Sequence, residues 1–374
     1  MNHIHQPSPP IEPVVPRRPA KSMLALLVAA HNEEMVIEQT LRSAIRAGMR
    51  TEDIYVVDDN SGDNTSALAR GILGPNNVIK VRRSGKGLAL TKAARKFRLT
   101  KRYRWIHIAD ADGGFAPDYF NVFRRELRVS YAAATGYVRS LPGSNISEYR
   151  VFEYTIGMEL HRRFQAAVHV VSVIPGPSSC FRADVFEQLD FANRSLTEDL
   201  DVTLQLHRKR LGKVQFIPKA VAYTQDPQNI QDFIKQITRW NRGIVQAIKR
   251  HKIGLHRQRI DVYLSYQVLQ NMLFAANYLL VVPYLAWRRE SWGIVSAAFV
   301  FDIALTFGLT FIVAVRAHRK DILSAFPVIY ILRWVTMIVF LRACVEVFIL
   351  GRFKVSDGVW NTAGRRYKAD VNLS

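Results

Sequence analysis

Cysteine is almost missing from this chain: Cys180 and Cys344 are the only two in 374 residues. Two isolated cysteines provide neither a disulfide framework nor thiolate metal-ligand spacing. A reducing compartment suits the half that carries Cys180, and each thiol reads as a small apolar packing group. Acidic residues are scarce as well, 31 against 52 Lys and Arg, for a net charge of +21. Such an excess invites a nucleic-acid reading, but no nucleic-acid motif accompanies it, and no nucleic-acid partner is expected. Residues 1–22 lack any apolar run and carry six prolines, from Pro7 to Pro19. That composition excludes a signal peptide or membrane anchor there and predicts a disordered leader.

Charge disappears altogether between residues 262 and 287, a run of 26 residues and long enough to cross a hydrocarbon core. Residues 291–315 form a second such run with Asp302 as its only charge. A third, 322–350, contains Arg333, Arg342 and Glu346. Helical spacing puts Arg342 and Glu346 on one face as an internal pair, and the run reads either as spanning or as partly interfacial. A transmembrane region over 261–350 follows, so the lipid bilayer is an expected partner. Lys249, Arg250, Lys252, Arg257 and Arg259 precede it, and Arg316, Arg319, Lys320, Arg352 and Lys354 lie between or after the runs. Basic flanks predict a cytoplasmic position for the residues before 261, at the cell membrane. The tail 351–374, with five Lys or Arg against two Asp, favours the same side. Nothing in the sequence fixes the oligomeric state.

What precedes the membrane runs alternates between strand and helix patterns. Residues 23–30 are a continuous apolar stretch that predicts a buried parallel strand. Helical pattern covers 34–47, a strand 54–57, a helix 65–73, a strand 78–81, a helix 88–97 and a strand 105–109. The expected fold class is α/β, a mostly parallel sheet with flanking helices, over 23–226, followed by interfacial helices over 227–260 and the membrane helices. In such sheets ligands bind beyond the carboxyl ends of the strands.

Four motifs sit where that rule points. Ala30-His31-Asn32-Glu33-Glu34 follows the first strand, Asp58-Asp59-Asn60-Ser61 the second, and Asp110-Ala111-Asp112 the strand at 105–109. Later come Thr197-Glu198-Asp199 and Gln236-Ile237-Thr238-Arg239-Trp240. A diphosphate needs its charge neutralised, and paired carboxylates can hold a hard cation against it. Each motif alone has a plainer reading. Asp-x-Asp recurs in surface turns, Asp58-Asp59 can cap a helix, and Lys86 between Gly85 and Gly87 can be a turn lysine. Ser195 and Glu198 fit a capping box. Asp199 beside them can serve as a general base. Gln236, Arg239, Trp240 and Gly243 share one helical face, while Ile237, Ile244, Val245 and Ile248 fit a helix lying on the membrane.

In this order the set resembles the membrane-bound family 2 glycosyltransferases: the hyaluronan, chitin, cellulose and poly-N-acetylglucosamine synthases. The likeness covers roughly residues 24–243 and the membrane runs after them. It implies a GT-A fold and an inverting hexosyl- or N-acetylhexosaminyltransferase using a UDP-sugar donor and a carbohydrate or lipid-linked acceptor, with Mg2+ or Mn2+ as cofactor. By position, His31 would lie against the uracil, and Asp59, with Asp58 beside it, would bind the uridine. Lys86 and Arg239 would hold the diphosphate, and Asp110 would lie by the ribose and diphosphate. Asp112, with Asp110, would bind the metal. Asp199 would be the base, and Glu198, Gly176, Gln236 and Trp240 would line the acceptor end. Phe353-Lys354-Val355-Ser356, Trp360-Asn361-Thr362 and Arg365 resemble a loop that covers the nucleotide site in the synthases. Two activities fit: extension of a β-linked polysaccharide, or a single addition to a lipid.

Overall fold

The computed structural model describes residues 22–141, 143–192 and 195–352. The expected leader, apart from Ser22, which begins the first strand, and the loop resemblance from Phe353 to Arg365 lie outside these residues. The first strands follow from unbroken apolar sequence. β1 (Ser22–Ala30) is buried from Leu24 onward, β2 (Ile54–Asp58) is buried throughout, and β3 (Val78–Lys80) lies beyond it. β4 (Tyr103–Asp110) pairs on the other side of β1. Side chains alternate across β1, so Leu24, Leu26 and Val28 enter one apolar cluster while Ala25, Leu27 and Ala29 enter the opposite one. Both clusters are covered by helix. The first takes residues of α1 (Ile37–Arg46) and α2 (Thr65–Leu73), and the second takes residues of α3 (Lys86–Lys96).

The sheet continues with β5 (Gly114–Phe115), β6 (Ala133–Ser140), β7 (Ser179–Arg182) and β8 (Val214–Thr224), in the spatial order β3-β2-β1-β4-β7-β6-β8-β5. Pairing is parallel from β3 to β4 and between β6 and β8, and antiparallel where β7 and β5 join. Register does the positioning: Ala30 of β1 lies beside Asp58 and Ala29 beside Asp110. Both aspartate motifs therefore leave the sheet at one edge. Among the further helices of this half are α4 (Tyr119–Glu126), α5 (Asn145–Ile156) and α6 (Glu198–Arg208).

α7 (Ile230–Arg250) carries the Gln-x-x-Arg-Trp motif. Three helices after it are long and apolar enough to cross a membrane: α8 (Arg259–Arg288), α9 (Gly293–Arg316) and α10 (Phe326–Ile349). The apolar side of α7 does not await lipid. Ile237 and Phe233 join Tyr149 and Phe152 of α5, Val313 of α9, and Ile329 and Leu332 of α10 in one core, and Val245 packs with Phe340 and Val347. Ile230 and Ile234, nearer its start, remain exposed.

The charges of the third apolar run make ion pairs within a continuous helix and with its neighbours. Arg342 donates to Glu346 at 2.9 Å, as the four-residue spacing predicts, and Arg242 of α7 donates to the same carboxylate. Arg333 reaches the buried Asp302 of α9 and lies over the rings of Phe274 and Tyr330, 5.1 and 5.5 Å from their centroids. Removing one member of a buried pair strands the other. Asp302→Leu is expected to destabilise the protein by roughly 3–5 kcal/mol, and Asp302→Leu with Arg333→Leu to recover most of it. Thermal unfolding in detergent compares them; a single variant as stable as the double would show that the pair does not hold α9 to α10.

Candidate active site

The turn after β2 is built by its own acids. The Asp58 carboxylate is fully buried, accepts from the Ser61 N–H at 2.7 Å and takes the Ser66 hydroxyl. Asp59, equally enclosed, reaches the next βα connection and accepts from the N–H groups of Ser84 and Gly85, both at 2.7 Å. This clamp sets the start of α3, where Gly85 has φ +82° and Lys86 is the first helical residue. His31 donates through Nδ1 to the Asp59 carbonyl at 3.0 Å, with Arg83 against its ring. Burial, then the Arg83 charge, lowers its pKa below the usual histidine value and favours the neutral ring.

From that position Lys86 bridges two motifs. Its Nζ is 2.6 Å from Asp110 Oδ1 and 2.8 Å from Glu198 Oε1, with only 13% of the side chain exposed. Burial opposes the ammonium, but the two carboxylates outweigh it and raise its pKa above the ordinary lysine range. Glu198 responds in kind: burial works against ionisation, Lys86 outweighs it, and its pKa falls. Asp199 stands outside this ion pair and accepts from the Leu200 N–H at 2.8 Å. Burial, then the adjacent Glu198 charge, pushes its pKa up to about 6. Asp112 leaves the sheet two residues after Asp110. The loop that carries it is held by Thr40 Oγ1, which is 2.8 Å from the carbonyls of both Ala111 and Gly113. Gly176 closes the cluster from below. A Cβ there would stand 2.6 Å from Asp110 Oδ2 and 3.1 Å from Lys86 Nζ, so any larger residue would displace the Asp110 carboxylate or the Lys86 ammonium.

The expected capping box does not form. Thr197 occupies the N-cap of α6 without a side-chain cap bond, and the Ser195 hydroxyl accepts from the Thr197 N–H at 3.2 Å. The Glu198 side chain turns to Lys86 because a buried ammonium offers more than an end-of-helix N–H. α7 backs this segment: Arg239 donates to the Leu196 carbonyl at 3.2 Å, and Gly243 lies against Thr197. Gln236 and Trp240 meet a residue that carries no motif signal, Arg150 of α5. Its guanidinium donates to Gln236 Oε1 at 2.6 Å and sits 4.6 Å from the Trp240 ring centroid. Asp226 was also missed. It follows β8, is buried with its carboxylate 3.9 Å from Arg150 Nε, and burial raises its pKa to about 6. Its place just past a strand's carboxyl end was the available signal.

The sheet, the acidic edge and the helix behind it define a GT-A glycosyltransferase. Residues 19–243, more than half of the chain, match the family described as glycosyltransferase like family 2, and the chain belongs to that family. It is 22% identical over 335 residues to a poly-beta-1,6-N-acetyl-D-glucosamine synthase from Staphylococcus epidermidis, covering 82% of this chain and 80% of that one. To the synthase of the same description from Staphylococcus aureus it is 25% identical over 234 residues, 61% of this chain and 56% of the relative. The chain thus spans little more than half of the Staphylococcus aureus protein. In fold it is similar to the mannosyltransferase PcManGT from Pyrobaculum calidifontis, solved in complex with GDP-Man and Mn2+. The TM-score is 0.55 at 15% identity over 88% of both chains.

Gly243 gives a test in which helix propensity and packing have opposite signs. Alanine in a helix interior normally stabilises by about 0.5–1 kcal/mol over glycine. Here its Cβ would meet the Thr197 side chain at 2.6 Å and the Thr197 backbone nitrogen at 3.0 Å. Gly243→Ala is expected to destabilise by roughly 1–3 kcal/mol and to lower turnover by displacing Thr197-Glu198-Asp199. A melting temperature equal to or above wild type would contradict this packing.

Proposed function

We propose that this protein is an inverting, UDP-sugar-dependent glycosyltransferase that adds N-acetylglucosamine units to a growing β-linked polysaccharide at the membrane. One observation carries the reading: Lys86 gathers Asp110, Glu198 and the neighbouring Asp199 into a single cluster at the carboxyl edge of the sheet. Similarity to the Staphylococcus epidermidis synthase over most of its length supports the sugar and the polymeric product.

On this reading His31 and Asp59 face the uridine, with Asp58 bracing the turn behind them. Lys86 and Arg239 take the diphosphate, which competes with the carboxylates for the Lys86 ammonium. The donor set suits a hard cation: Asp110 and Asp112 are carboxylates, and the described residues hold no cluster of three or more acidic, His or Cys groups that would complete a shell. Water and phosphate oxygens would fill the remaining positions. When bound, Mg2+ or Mn2+ supplies charge neutralisation for the leaving diphosphate. Asp199 takes the proton of the acceptor hydroxyl as its oxygen attacks the anomeric carbon. The bond to the diphosphate breaks, its electron pair leaves with UDP, and one in-line displacement turns an α-linked donor into a β-linked product. Glu198, Gly176, Gln236 and Trp240 face the acceptor. The Lys and Arg flanks of the apolar helices support a cytoplasmic position for this cluster.

Sealed inside-out membrane vesicles test the reading. Supplied with UDP-sugars and Mg2+ or Mn2+, they are expected to release UDP without detergent and to yield products longer than one added sugar; EDTA is expected to abolish release. Full activity in EDTA would remove the metal assignment. Activity that appears only after detergent would place the site on the other side. Addition of a single sugar to a lipid would replace polymer synthesis.

The Asp199 role has a sharper signature. General-base catalysis contributes on the order of 10²–10⁴ in rate, so Asp199→Asn should lose about that factor with donor affinity nearly intact. A base must be ionised. With its pKa raised to about 6 by burial and Glu198, and opposed by Lys86, wild-type turnover should fall as pH drops through about 6. An acid limb below pH 5, or loss of donor binding in proportion to rate, would assign Asp199 another task.

A further inference from the structure

Arg150 is a charged side chain in an unusual place. It is 3% exposed, on a helix that carries none of the site motifs, and its guanidinium lies against two aromatic rings. The Phe233 centroid is 4.7 Å from Cζ and the Trp240 centroid 4.6 Å. One nitrogen donates to Gln236 Oε1 at 2.6 Å and another to Glu153, while Nε stands 3.9 Å from the Asp226 carboxylate. Burying a guanidinium is costly unless its charge is compensated and its donors are used. Glu153 and Asp226 supply the compensation, and two residues of the acceptor-end set, Gln236 and Trp240, use its donor and its face.

We propose that Arg150 is a positioning residue for acceptor binding, acting through Gln236 and Trp240. This rests on the acceptor role given to those two residues above. The amide of Gln236 can turn by half a rotation without changing shape, but a guanidinium accepts no hydrogen bond, so contact with Arg150 fixes Oε1 toward it. That orientation fixes where Gln236 presents the donor Nε2, a group suited to the lone pair of an acceptor hydroxyl. Trp240 is fixed by the same group, because a stacked, planar cation resists tilting of the ring. The two preceding residues tie α5 elsewhere. Tyr149 is hydrogen-bonded to Thr336 of α10 at 3.2 Å, and Glu148 accepts from Arg319, just past α9, at 2.6 Å. Three successive side chains thus connect the acceptor end to the membrane helices.

Lysine would keep the charge and lose both the fork and the stacking face. In detergent-solubilised full chain, Arg150→Lys is expected to raise the KM for an oligosaccharide acceptor about tenfold, the equivalent of 1.4 kcal/mol. Donor KM and acceptor-independent release of UDP to water should stay within about twofold, a change of under half a kcal/mol. Combined with Gln236→Ala, its effect should be less than additive, because the two changes remove one contact. Full additivity, an unchanged acceptor KM, or an equal rise in donor KM would overturn the proposal. If Arg150→Lys fails to fold, Gln236→Glu examines the same contact. A carboxylate facing the guanidinium should raise the melting temperature while the lost Nε2 donor raises acceptor KM, and an unchanged acceptor KM overturns the proposal. Wild-type chain that releases no UDP from any nucleotide sugar would instead refute the glycosyltransferase reading, and this inference with it.

Discussion

A single buried ammonium holds the site together. Asp110 ends a strand and Glu198 begins a helix 88 residues later, and Lys86 is the group that makes their proximity tolerable. Replace it by an apolar side chain and two carboxylates would face each other in a poorly solvated space, with Asp199 adding a third. Like charges so placed separate or take up protons. Much of the surrounding architecture serves to deliver that ammonium. The Asp59 carboxylate anchors the Ser84-Gly85 turn, the turn starts α3, and α3 begins with Lys86. Gly176 leaves room beneath it.

The same charge balance divides the labour between neighbouring acids. Glu198 and Asp199 are adjacent in sequence and similarly enclosed, yet their proton affinities move in opposite directions because only one of them touches Lys86. A helix start places successive side chains about 100° apart, so two consecutive acids address different surroundings. One becomes a fixed counter-ion and the other a group able to exchange a proton near neutrality.

How much of this could be read from sequence depended on the range of the interaction. The strands β1, β2 and β4 were legible to within about two residues at each end, because strands buried on both faces need unbroken apolar sequence. The edge at which Asp58 and Asp110 emerge followed from the α/β rule for ligand sites. Local patterns misled where a distant partner outbid a near one: Glu198 leaves its capping position for Lys86, more than a hundred residues earlier, and the apolar stripe of α7 faces α10 instead of lipid. Arg150 and the antiparallel strand β7 gave no sequence signal at all. A four-residue strand has too little periodicity to register, and an arginine set against rings looks like any helical arginine until the rings are found.

The core shared by α5, α7, α9 and α10 has a consequence for how this protein can be divided. Phe233, Ile237 and Val245 meet Ile329, Leu332, Phe340 and Val347 across what the sequence presents as a boundary between a polar half and an apolar half. A fragment ending near residue 260 would keep every motif of the site but expose the side of α7 that those residues cover, and would leave Arg242 without Glu346. The apolar helices are therefore part of the folding unit of the enzyme. The candidate site and the apolar helices share one packed core, and the helix bearing Gln236, Arg239 and Trp240 is the seam along which they meet.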